Sequence, residues 1–166
     1  ETLAFLAANS KALSTHFSRM LFTLWLGMGS FELLRETGER KHRRNARKAM
    51  KETAKWYKKG IIIAIPFHLI LAAEWKAVSR NRSGSNMVEQ AYLEAASAAS
   101  GRGECLFLEA YSYERLASVT LNQRDSNTPS HEYLKRASTL YAKWGATAKV
   151  QLLEDDAGIE NQIDLP

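Results

Sequence analysis

The sequence predicts an all-α fold in which antiparallel helix pairs stack into an α/α superhelix. Three observations carry that expectation. Residues that lose little conformational freedom on entering a helix (Ala, Leu, Lys, Arg and Glu) dominate the 166 residues, while proline is confined to Pro66, Pro129 and Pro166. Apolar residues recur at helical spacing in one segment after another, and the breaks carry Gly, Asn, Ser or Pro. A small-or-apolar, bulky, small series then returns along the chain, as Ala46, Met50 and Thr53, as Val88, Tyr92 and Ala95, and as Ser130, Leu134 and Ala137.

That series belongs to the second member of each helix pair, with small residues where two helices cross closely and a bulky one filling the gap. Its central residues stand 42 positions apart. This exceeds the roughly 34 residues of a TPR unit, and long turns such as residues 122–129 absorb the excess, so the array is read as a TPR-like α-solenoid.

In chain order, helices are predicted at 2–13, 15–36, 40–59, 66–80, 86–99, 103–122 and 130–144, with a short last helix over 146–153. Gly38, Gly60, Gly101 and Gly145 each follow a predicted helix, where a residue able to adopt positive φ is wanted. The run Ile61 to Ile65 favours extended structure by propensity. With no second strand to pair with it, the run is read as a connection or the start of the next helix. Two apolar stretches, Met20 to Leu34 and Ile61 to Ala73, invite a membrane reading. The first contains Gly27, Gly29, Ser30 and Glu32, the second contains Pro66 and His68, and both fall short of the roughly 20 residues a span requires. Buried core is the expectation for each. Residues 1–153 are read as the repeat domain, continuing N-terminally in a longer parent, and residues 154–166 as an acidic tail or linker.

Charge is unevenly placed. From Glu39 to Lys59 ten Lys or Arg stand against two Glu, a local net of +8 in a chain whose net charge is +5. The rest of the chain is therefore acidic, and the high pI belongs to one helix. In that helix Ala46, Ala49, Met50, Thr53 and Tyr57 form a docking face, leaving Arg43, Arg44, Arg47, Lys48, Lys51 and Lys55 outward. Such a face suits an acidic partner, the phosphates of nucleic acid or an anionic lipid surface. No base-reading or RNA-binding motif accompanies the charge, so nucleic acid is the weaker reading.

Candidate reactive groups are few. Cys105, the only cysteine, excludes an intramolecular disulfide and reads as an inert thiol in a reducing, cytoplasmic setting. His16, His42, His68 and His131 show no i, i+4 ligand spacing, and Glu109 and Glu114, five apart, point to different helix faces. No catalytic residue, metal site or cofactor is expected. Glu74 and Glu114 read as members of ion pairs or interhelical hydrogen bonds.

The stretches Tyr111 to Ala117 and Tyr133 to Val150 carry a resemblance. The latter reads Tyr-Leu-Lys-Arg-Ala-Ser-Thr-Leu-Tyr-Ala-Lys-Trp-Gly-Ala-Thr-Ala-Lys-Val. It resembles the motif Y-L-x-x-A-x-x-x-Y-x-x-W-G-A-x-A-K-V that closes the TPR-like region downstream of the AAA/STAND-type ATPase in large multidomain signalling proteins. Leu24 to Gly38 is similar to the glycine-containing first helix of that array, and Arg43 to Trp56 to the helix that follows. In that family a protein kinase often precedes the ATPase, and a histidine kinase or nucleotide cyclase often follows the array. One departure is that Ile61 to Ile65 stands where the family usually has an Asn-Pro-Asn turn. The phosphate loop, the Gly-rich kinase loop and the His-Arg-Asp and Asp-Phe-Gly elements do not occur in these residues.

The resemblance implies a non-catalytic protein-interaction or intramolecular coupling module of an ATPase-linked signal-transduction protein. A free-standing TPR-type adaptor is the alternative. The partner is expected to be protein, either a neighbouring domain or a peptide, laid on a concave surface lined by Trp75, Lys76, Tyr111 and Arg115. In the Trp144-Gly145-Ala146 motif, Trp144 is expected to close the core, Gly145 to reverse the chain, and Lys149 to be structural or exposed.

Overall fold

The computed structural model describes residues 16–79, 85–101, 105–121 and 130–157. Its helices are α1 (His16–Thr37), α2 (Arg40–Lys58), α3 (Ala64–Val78), α4 (Ser85–Gly101), α5 (Leu106–Leu121), α6 (Ser130–Trp144) and α7 (Thr147–Ala157), with no strand among the described residues. The chain divides into two compact units, Glu1–Ala91 and Tyr92–Pro166. In the first, α1 packs on α2, α2 on α3, and α1 on α3; in the second, α5 packs on α6 and α6 on α7. The fold is all-α with the sequential helix packing of a helical repeat. The helix expected over 2–13, the turn over 122–129 and residues 158–166 of the acidic segment lie outside the described residues.

In the first unit, Met20, Leu24, Met28, Phe31 and Leu34 are buried from α1, a single stripe because their spacings are all three or four. The buried contribution of α2 is small, Ala46, Ala49 and Thr53, whereas α3 supplies Phe67, Ile70, Leu71 and Ala73. The three helices meet at Gly27. A Cβ there would lie 2.7 Å from Leu71 Cδ2 and 3.1 Å from Ala49 Cβ. Hydrogen in place of a methyl is what lets α1 approach both neighbours at once.

The isoleucine run serves as both connection and helix start. Gly60, at φ 70°, turns the chain out of α2, its N–H donating to Tyr57 O at 2.9 Å while Ile61 N–H donates to Trp56 O at 3.2 Å. These are the two bonds of a Schellman cap. Ile61 to Ile63 form the turn, and α3 begins at Ala64, two residues earlier than predicted. Pro66 therefore falls in the first turn of α3, where its missing N–H costs no helical hydrogen bond.

The second unit repeats the device. Gly145, at φ 86°, ends α6; its N–H donates to Ala142 O at 3.0 Å, and Ala146 N–H donates to Tyr141 O at 2.9 Å. Leu108, Leu116 and Ala117 of α5, Leu134, Ala137, Leu140 and Tyr141 of α6, and Leu153 of α7 are buried. Gly101 differs from expectation: it is the last residue of α4 and does not have positive φ. In the recurrent series every member is buried except Met50, which is half-buried.

Candidate functional site

The first candidate surface is the outer side of α2. Residues advance about 100° each around a helix, which sets Arg44, Lys48, Lys51 and Lys55 opposite Ala46, Ala49 and Thr53. The buried and exposed sides follow that division: Arg43, Arg44, Arg47, Lys48, Lys51 and Lys55 are all exposed. Arg40, Arg44 and Lys48 succeed each other at i, i+4, as do Arg47, Lys51 and Lys55. Each like-charged pair at that spacing opposes the helix by about 0.2–0.5 kcal/mol. The helix stands because its other face is packed.

Acidic neighbours offset part of this charge. Glu52 accepts from Arg19 Nη2 at 2.8 Å and from Lys55 Nζ at 3.0 Å, and the Lys55 hydrogen bond holds its carboxyl below the usual carboxylate range. Glu39 pairs with Lys41 at 2.9 Å, whose hydrogen bond likewise lowers its carboxyl. Among the described residues, Arg43, Arg44, Lys48 and Lys51 form no ion pair. The Arg47 guanidinium instead lies 4.9 Å from the centroid of Trp75, and Trp75 meets Phe31 edge-on at 6.2 Å. Trp75 and Lys76, expected on a binding surface, are half-buried on α3 in the first unit. Tyr111 and Arg115 are half-buried on successive turns of α5 in the second.

Each unit also holds a carboxylate that binds a cation from two helices away. In the first, the fully buried Glu74 of α3 is bonded by Arg35 Nη2 of α1; Arg35 Nη1 also reaches Glu32 at 2.6 Å. In the second, Glu114 of α5 accepts from Tyr141 OH of α6 and from Lys149 Nζ of α7, both at 2.8 Å. Burial, then the charge and hydrogen bond of Glu114, push the Tyr141 phenol far above its ordinary range. Lys149 is thus structural. The sequence marked Glu74 and Glu114 as pairing residues but gave no sign of their distant partners.

Trp144 corrects an expectation. It is 53% exposed, leaning on Phe107 at 5.3 Å between centroids and on Tyr141 at 6.5 Å. As the last residue of α6 before the chain reverses it lies at the rim, and Tyr141, one turn earlier, is the buried aromatic. Ala146 accepts from Lys149 N–H at 2.9 Å and Val150 N–H at 3.1 Å, so it starts α7 as Gly145 ends α6.

The remaining titratable groups are separate. Cys105 falls within the helix predicted over 103–122 but precedes α5; it is half-buried, and burial pushes its thiol up. His68 Nδ1 is 3.2 Å from Thr53 Oγ1, its ring lies 5.0 Å from that of Tyr57, and burial lowers its pKa. Arg136 stacks over Tyr113 at 4.5 Å and reaches Glu109 at 3.8 Å. Among the described residues no three His, Cys, Asp or Glu side chains converge to hold a metal, and no helix is long and apolar enough to cross a membrane. No protein-family model, curated protein or solved structure matches the chain.

Proposed function

We propose that this chain is a non-catalytic interaction module that couples neighbouring domains of a large ATPase-linked signalling protein. The observation that carries the reading is the pair of cross-helix clamps, Arg35 with Glu74 and Lys149 with Glu114. Each ties helices that are not adjacent in sequence. A trio held in this way moves as one body and transmits a displacement applied at one end, because packed interiors do not deform continuously. The Trp144 to Val150 resemblance to the closing segment of TPR-like arrays supports the same reading, as does the stretch of the α2 stripe that forms no ion pair among the described residues and suits an acidic protein surface.

Hydrogen exchange on the open reading frame that contains this segment tests the proposal. Addition of ATP should change amide protection across α1–α3 or α5–α7 as a block, and Glu114→Ala, which removes the acceptor of both Tyr141 and Lys149, should break the block response of α5–α7. Exchange indifferent to nucleotide, together with a separately encoded protein that binds the segment, would favour the free-standing adaptor.

A further inference from the structure

The turn between α2 and α3 presents three consecutive isoleucines to solvent, Ile61 at 36%, Ile62 at 59% and Ile63 at 38% exposure. Isoleucine is ordinarily among the most buried residues, and a run of exposed ones is disfavoured unless something apolar covers it. The tip has a fixed backbone: besides the Gly60 cap, Ala64 N–H donates to Ile61 O at 2.9 Å and Ile65 N–H to Ile62 O at 3.1 Å. The side chains are therefore displayed on a defined turn.

What stands behind the tip identifies the occupant. Lys58 and Lys59 immediately precede it, exposed and without an ion pair among the described residues, and Tyr57 beside them is 44% exposed. No Asp or Glu occurs in the sequence between Glu52 and Glu74. The order away from the tip is thus hydrocarbon, then a phenol and ammonium groups, then the cationic stripe of α2.

We propose that the Ile61–Ile63 turn is a membrane-docking tip that enters the interfacial layer of an anionic bilayer, with Lys58 and Lys59 on the lipid phosphates. A nucleic-acid backbone or an acidic peptide rewards the lysines and offers nothing to three isoleucines. An anionic bilayer presents negative charge directly above hydrocarbon, matching both layers at side-chain depth. The lysine stems can lie along the apolar layer while their ammonium groups stay with the headgroups, and a half-exposed tyrosine suits the same boundary.

Co-sedimentation of the 166-residue chain with phosphatidylcholine vesicles, with and without phosphatidylserine, tests this. Binding is expected only with phosphatidylserine. Ile62→Ser should weaken it roughly tenfold, as loss of buried hydrocarbon requires, Ile62→Leu should retain it, and the double variant Lys58→Glu, Lys59→Glu should abolish it. Circular dichroism checks that each variant keeps its helices. Absence of binding to phosphatidylserine vesicles overturns the proposal, as does binding that Ile62→Ser leaves unchanged, which is adsorption through the stripe alone. Duplex DNA binding indifferent to Ile62→Ser, without vesicle binding, assigns the cations to nucleic acid and also overturns it. So does a lipid-free dimer, seen by sedimentation velocity, that Ile62→Ser dissociates, since a second copy then covers the tip.

Discussion

Lys149 Nζ donates to Glu114 Oε1 at 2.8 Å while Tyr141 OH donates to Glu114 Oε2 at the same distance, so groups 27 and 35 residues from Glu114 share one anion. Glu114→Ala removes the acceptor from both and should lower the unfolding free energy of the second unit by about 2 kcal/mol in urea titrations. Lys149→Met leaves Tyr141 its partner and removes an ammonium that is 38% exposed, so it should cost less than about 1 kcal/mol.

Gly27 predicts a reversal of helix propensity. In a solvated helix Gly→Ala gains about 1 kcal/mol. Here the new methyl meets Leu71, whose side-chain end can give way, and also Ala49 Cβ at 3.1 Å, which can move only with α2. Gly27→Ala should therefore destabilise the first unit by about 1 kcal/mol, and Gly27→Val by about 3 kcal/mol, read as the shift of the thermal midpoint.

Arg35 and Glu74 predict an asymmetry between breaking a pair and replacing it. Glu74 is fully buried, so Arg35→Ala takes a cation from an anion in the core and should cost about 3 kcal/mol. Joining Glu74→Leu to Arg35→Ala should recover most of that loss. A double-mutant cycle by chemical denaturation measures the coupling.

His68 predicts an acid-side loss of stability. Burial lowers its pKa, so the folded chain binds the imidazole proton less tightly than the unfolded chain. The unfolded state then takes up the proton first as pH falls through about 6.5, the ordinary histidine value. The His68 contribution is present above that pH and is lost below it. Unfolding free energies measured on either side should show a decline that His68→Gln abolishes.

The features legible in the sequence were those set by local chemistry. Helix α6 occupies the predicted 130–144, because polar residues precede it in the sequence and Gly145 follows. The two faces of α2 follow from spacing alone. Long-range relationships left no such trace: nothing near Arg35 names Glu74, 39 positions away, and nothing near Gly27 says that two other helices close on it. Trp144 was misread because hydrophobicity indicates that a side chain gains from burial, not whether its place at a helix end allows it. The buried core expected over Ile61 to Ala73 likewise fails at Ile61 to Ile63, which form the exposed connection, and holds at Phe67, Ile70, Leu71 and Ala73.

The Arg35 and Lys149 clamps have a consequence for how such a module diversifies. In the first unit the clamp joins α1 to α3, and on the solvent side of α2 Arg43, Arg44, Lys48 and Lys51 form no ion pair among the described residues. Substitutions at Arg43, Arg44, Lys48 or Lys51 fall on exposed positions, where most changes shift stability by less than about 0.5 kcal/mol. What this helix displays can therefore be rewritten while the frame that carries it stays the same.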